Sequence, residues 1–150
     1  MKKHIPNFIT TLNLVSGFTA IIFAINGDQV TASWLILAAM VFDFLDGLSA
    51  RILQAYSEIG KELDSLADIV SFGVAPAVLI YQLLAVQSSN SFQIFTGGHV
   101  SMYLVFLLVP VIMPVCGALR LARFNTDPSQ STSFKGLPIP ANALGVISVV

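Results

Sequence analysis

The stretch DFLDGLSARILQAYSEIGKELDSLAD, residues 43–68, carries four aspartates inside or beside long apolar runs. Asp43 and Asp46 are three apart, and Asp64 and Asp68 four apart. If both segments are helical, each pair projects from one helix face. At about 100° per residue, Asp43, Asp46, Gly47 and Ala50 share a stripe with Arg51 at its edge. Gly60, Asp64 and Asp68 share another, and Ser71 falls back onto it. Two neighbouring helices then aim four carboxylates at one spot, which is how helical bundles build dinuclear carboxylate sites.

The segments around this stretch are unlike a soluble domain. Of the 150 residues 55% are hydrophobic and 10% charged, against about 25% charged in a typical soluble domain. Mean hydropathy is +0.83. The expected fold is an all-α, polytopic transmembrane helical bundle. Span one covers roughly Phe8 to Ile25 and closes on the turn signal Asn26-Gly27-Asp28. Span two runs from about Val30 to Arg51, with Trp34 near one interface. After a polar link, Gln54 to Lys61, span three covers about Leu63 to Ala85. A loop from Gln87 to His99 leads to span four, about Met102 to Ala122, which Pro110 and Pro114 should kink. A polar stretch, Arg123 to Pro140, precedes a fifth apolar run from Ala141. From Leu137 to Val150 a helix extends only about 21 Å, short of the roughly 30 Å hydrocarbon core. The expectation is therefore four full spans and the start of a fifth, in a single domain over 1–150 that is truncated at its C-terminus.

All seven basic residues, Lys2, Lys3, Arg51, Lys61, Arg120, Arg123 and Lys135, fall at the N-terminus, the two-three link or the four-five link. The positive-inside rule puts those segments, and the four aspartates beside them, on the cytoplasmic side. The net charge of −1 argues against nucleic acid as a partner. The one cysteine, Cys116, lies in an apolar run and is expected to pack, so no thiolate site is available. His4 and His99 lie at opposite ends of this topology and read as solvated loop residues.

Four uncompensated carboxylates at a membrane-proximal site repel one another, and each loses hydration. Only Arg51 and Lys61 are near in sequence. Two divalent cations would balance the four charges, and hard cations such as Mg²⁺ take oxygen ligands together with substrate phosphate. The cluster thus predicts a two-metal phosphoryl-transfer site. Gly47, Ala50 and Gly60 leave room for a ligand, and they equally suit close helix packing.

The pattern Asp43-x2-Asp46-Gly47-x2-Ala50-Arg51-x8-Gly60-x3-Asp64-x3-Asp68 resembles the full signature of the CDP-alcohol phosphotransferase family, and the resemblance covers nearly the whole chain. It implies an integral membrane enzyme, usually of six transmembrane helices and often a homodimer. Such enzymes move a phosphatidyl group from a CDP-linked lipid onto an alcohol and release CMP. Three further stretches are similar to the bacterial branch that uses serine as the alcohol. They are Ile5-Pro6-Asn7-Phe8-Ile9-Thr10-Thr11-Leu12-Asn13, Ser71-Phe72-Gly73-Val74-Ala75-Pro76-Ala77, and Leu119 to Asn125 followed by Phe134 to Pro140. Related enzymes that use glycerol phosphate usually carry an arginine where Asn13 stands.

By this resemblance the substrates are CDP-diacylglycerol and L-serine, the cofactor is Mg²⁺ or Mn²⁺ with two ions bound, and the location is the inner cell membrane. Asp43, Asp46 and Asp64 are the implied metal ligands. Asp68 is the implied general base, which also suits it as a ligand. Gly47, Ala50 and Gly60 would give space to the nucleotide, and Arg51 would meet a phosphate or a carboxylate of the cluster. Arg120, Arg123 and Lys135 either bind the serine carboxylate and lipid phosphate or set topology and meet anionic headgroups. Asn7, Thr10 and Asn13 either hydrogen-bond the nucleotide or act as helix-capping and interfacial polar residues. Ser71 is grouped with the substrate-binding residues.

Two alternatives stay open at this point. One is the same chemistry with glycerol phosphate, inositol phosphate or choline as acceptor. The other is a divalent-ion transporter or channel, which needs polar residues through the midplane; the outward halves of spans two and three are almost purely apolar.

Overall fold

Gly27 and Asp28 shape the first hairpin. Gly27 has φ of +86°, a left-handed conformation that glycine adopts without steric cost. Its N–H donates to the Ala24 carbonyl at 3.0 Å, and the Asp28 N–H to the Phe23 carbonyl at 3.0 Å. This pair of bonds closes the C-terminus of α1 (His4–Ile25) as a Schellman motif. Asp28 then caps the next helix, α2 (Gln29–Ile52), its carboxylate accepting from the Thr31 N–H at 3.0 Å. That bond holds the Asp28 carboxyl below its usual range. The predicted turn is therefore both the stop of one helix and the start of the next.

The computed structural model describes residues 4–55, 57–91, 100–126 and 139–148. Among them every regular element is helical. After α2 the chain turns through Gln54, which has φ of +49°. The Ala55 N–H reaches the Ala50 carbonyl at 3.1 Å, a second Schellman-type closure. Ser57 caps α3 (Glu58–Asp68) through the Gly60 N–H at 3.0 Å. A π-helical segment, Ile69–Val74, continues α3 directly into α4 (Ala75–Ser91). Then come α5 (Val100–Thr126) and α6 (Ile139–Ile147).

The π-helical segment has a reason in the sequence. Pro76 has no N–H to give to the carbonyl one α-turn back. A widened turn just ahead of it, with the Ala75 N–H bonded to the Val70 carbonyl, lets the helix run on. Gly73 in this turn faces Pro114 of α5, and a β-carbon on it would stand 3.4 Å from the Pro114 Cα.

Packing follows helical spacing. The buried positions of α1 are Pro6, Thr10, Asn13, Gly17, Ala20 and Ala24, three or four apart. Those of α2 include Ala32, Ile36, Ala39 and Asp46. Six of the nine residues in the buried apolar cluster are alanine, which lets helix axes approach closely, as membrane helices do. Apart from Ile36, Phe72 and Leu79 in the core, many larger apolar side chains point outward: Phe8, Phe18, Trp34, Phe44 and Ile52 are all more than half exposed. In water such a surface is a liability; against lipid it is the expected one.

Two helices, Ile5–Ile25 and Glu58–Leu84, are long and apolar enough to cross a membrane. The third span thus begins earlier than expected, because Ser57 caps a helix already at Glu58. Pro110 and Pro114, expected in a fourth span, both lie inside the one helix α5. The fifth apolar run, expected from Ala141, forms α6, which begins at Ile139. Cys116, expected to pack, is exposed on α5. Gly97, Gly98, His99 and Lys135 lie outside the described residues.

Candidate active site

The aspartates converge where α2 and α3 lie beside α1. Asp43, Asp64 and Asp68 each offer a carboxylate oxygen, and these oxygens lie within 4.8 Å of one another. Asp46, one turn beyond Asp43, is buried at 5% exposure and stands against Thr10 of α1. The Thr10 hydroxyl itself donates to the Pro6 carbonyl at 3.0 Å.

Each of three aspartates holds a buried oxygen without a hydrogen-bond partner among the described residues: Asp46 Oδ2, Asp64 Oδ1 and Asp68 Oδ1. Buried carboxylate oxygens that accept nothing cost on the order of several kcal/mol in lost hydration. A set of converging hard oxygens fits a divalent cation, which neutralises them and takes them as ligands. The residues present therefore fit a metal centre.

A cleft of about 680 Å³ opens beside the cluster. Ligand sites typically enclose about 300–1,000 Å³. Asn7 and Thr10 line it from α1, and Asp46, Gly47, Ala50 and Arg51 from α2. From α3 come Gly60 and Asp64. Eight of the residues singled out in the sequence thus line one cleft. Gly47 has no atom within 4 Å of the position a β-carbon would take, so its missing side chain is open cleft. At Gly60 the corresponding position lies 2.8 Å from Asn7 Oδ1. Its hydrogen lets Asn7 lie across α3.

Other candidates sit elsewhere. Ser71 is fully buried in the π-helical segment, and its hydroxyl donates to the Asn13 backbone carbonyl at 3.1 Å. Asn13 is fully buried too, and neither amide atom of its side chain has a partner among the described residues. Neither residue lines the cleft. Arg120 and Arg123 lie on the C-terminal part of α5 and do not line it either. Two charged residues not singled out as ligands, Glu58 and Lys61, do. Their signal was present as spacing: Glu58, Lys61 and Asp64 recur every three residues on one side of α3.

A model of the CDP-alcohol phosphatidyltransferase family matches residues 3–150. The chain belongs to the CDP-alcohol phosphatidyltransferase family. Family membership and the two long apolar helices together mark a membrane protein. The chain is 40% identical to a CDP-diacylglycerol–serine O-phosphatidyltransferase of Mycobacterium leprae, over 97% of this chain and 46% of that one. It is 37% identical to an archaetidylserine synthase of Methanothermobacter thermautotrophicus, over 96% of this chain and 56% of that one. To a CDP-diacylglycerol–serine O-phosphatidyltransferase of Bacillus subtilis it is 37% identical, over 92% of this chain and 70% of that one. The chain spans about half the length of the Mycobacterium and Methanothermobacter relatives.

Proposed function

We propose that this chain transfers the phosphatidyl group of CDP-diacylglycerol to the hydroxyl of L-serine, giving phosphatidylserine and CMP. The observation that carries the reading is the meeting of three aspartate oxygens within 4.8 Å beside a nucleotide-sized cleft. Serine as acceptor is supported by the relatives, whose names share that amino acid across bacteria and an archaeon.

Asp43, Asp64 and Asp68, with Asp46 one turn away, would hold the divalent cations, Mg²⁺ or Mn²⁺, as a pair. When bound, the cations offset charge on the diphosphate and on the departing CMP. The chain's own residues do the rest. Gly47 and Ala50 keep the cleft wide enough for the nucleotide, and Gly60 lets Asn7 close in on α3, with Asn7 and Thr10 on the α1 wall. Arg51 meets a phosphate oxygen at the rim. Asp68 takes the proton from the serine hydroxyl as that oxygen attacks the lipid-side phosphorus. Asn13 and Ser71 hold α1 against the turn that follows Asp68. Arg120, Arg123 and Lys135 give the cationic side on which the serine carboxylate and lipid phosphate are met.

The same reading has the chain cross the inner cell membrane four times as one domain, through α1, α2, the continuous α3–α4 helix and α5. The N-terminus and the aspartates face the cytoplasm, and the working unit is a homodimer. The positive-inside distribution of Lys and Arg supports the orientation.

The test is metal-dependent release of CMP from CDP-diacylglycerol by the purified protein in detergent micelles. Release that requires Mg²⁺ or Mn²⁺ supports the proposal. Metal binding without any CMP release, as a transporter would give, contradicts it.

A further inference from the structure

The cleft wall on α3 is a row of three charged side chains in order: Glu58, Lys61 and Asp64, all lining the cleft. Asp64 belongs to the aspartate cluster, so the diphosphate end of a bound nucleotide lies at its level. Glu58 is six residues nearer the helix start, about 9 Å along the axis. A ribose bridges that order of distance between a 5′-phosphate and its base. Lys61 stands between the two levels. Glu58 is exposed and lines the cleft, so a base held one nucleoside length from the cluster would meet its carboxylate, with Asn7 against α3 close by at Gly60.

Resting on the phosphatidyl-transfer reading, we infer that Glu58 reads the base of the nucleotide, accepting a hydrogen bond from the exocyclic amine of a cytosine. A carboxylate is acceptor-only, and it matches the amino group that cytosine presents. Uracil carries a carbonyl oxygen at that position, and two acceptors repel. Lys61, a donor-only group, meets the phosphate or ribose oxygens that both nucleotides share. The row therefore divides its work: Lys61 adds affinity without choosing a base, and Glu58 chooses.

Glu58 also lies in the first turn of α3, where any acid is favoured by the helix dipole. The readout must therefore be a ratio of ligands rather than stability. Binding of CMP and of UMP to the purified full chain, with Mg²⁺ in detergent, is measured by calorimetry for the wild type, Glu58→Gln and Lys61→Met. The wild type binds CMP more tightly than UMP. Glu58→Gln, whose amide can donate to a uracil carbonyl, lowers the CMP preference by about tenfold or more, the scale of one base-edge hydrogen-bond pair. Lys61→Met weakens both ligands alike and leaves the ratio in place. A wild-type CMP preference that survives Glu58→Gln unchanged overturns the inference and leaves the phosphatidyl-transfer reading standing. A wild type that binds neither nucleotide overturns both.

Discussion

The Ser71 hydroxyl donates to the Asn13 backbone carbonyl at 3.1 Å, across 58 positions of sequence. The bond joins α1 to the π-helical turn directly after Asp68, so the last aspartate of the cluster is held by a helix that contributes no carboxylate. One turn further along α1, Gly17 meets the same residue: a β-carbon there would stand 2.6 Å from the Ser71 Cα. Backbone cannot yield as a side-chain tip can. Gly17→Ala is therefore expected to push α1 away from the π-helical turn and cost about 1–3 kcal/mol, the scale of overpacking. A thermal melt in detergent checks this. An unchanged melting temperature would show that the helices can separate freely at this point.

Gly47 is the opposite kind of glycine. Nothing lies within 4 Å of its absent side chain, and leucine is a better helix former than glycine by roughly 0.5–1 kcal/mol. Gly47→Leu should fold at least as well as the wild type and fill the nucleotide cleft. Binding of CDP-diacylglycerol to the folded variant is expected to be lost. Retained binding would place the nucleotide elsewhere.

Much of this arrangement was legible in the sequence, and the reasons differ by element. The four aspartates and the glycines between them could be placed on two helix faces because α2 and α3 are regular helices, where spacing alone fixes direction. The Asn26-Gly27-Asp28 turn could be read because a left-handed glycine and a capping aspartate each have a local cause. The π-helical turn at Ile69–Val74 was not read, although Gly73 and Pro76 hint at it, since a one-residue change of register leaves no periodic trace in so uniformly apolar a segment. The burial of Asn13 and Ser71 was also missed. It depends on a contact between α1 and the turn after Asp68, and no local pattern encodes which polar face meets which partner. The place of Glu58 and Lys61 in the cleft depends on three elements packing together, so their spacing on α3 alone does not single them out.

Asp43 and Asp64 come from different helices and meet within 4.8 Å. Asp43→Asn or Asp64→Asn removes one charge while keeping the volume. Each is expected to weaken Mn²⁺ binding by at least about tenfold, since even outer partners of metal ligands carry effects of that size. Titration of Mn²⁺ followed by electron paramagnetic resonance measures this without reference to turnover. Wild-type affinity in both variants would mean that these carboxylates do not hold the ion.

Asp68 is expected to act on the chemical step. Asp68→Asn keeps the size and removes the base. With metal present the variant should still bind CDP-diacylglycerol, while serine-dependent CMP release falls by roughly 10² or more, the scale of general-base catalysis. Loss of CDP-diacylglycerol binding with normal turnover at saturation would instead make Asp68 chiefly a ligand.

The identity of the acceptor tests phosphatidyl transfer to serine most directly. The purified protein is supplied with CDP-diacylglycerol and Mg²⁺ or Mn²⁺, and with serine, glycerol phosphate, inositol phosphate or choline in turn, and the lipid product is read by mass spectrometry. Phosphatidyl transfer to serine predicts a phosphatidylserine headgroup from the serine reaction, none from the other three, and no product when the metal is chelated. A different headgroup formed in preference, or full turnover in excess chelator, would contradict it.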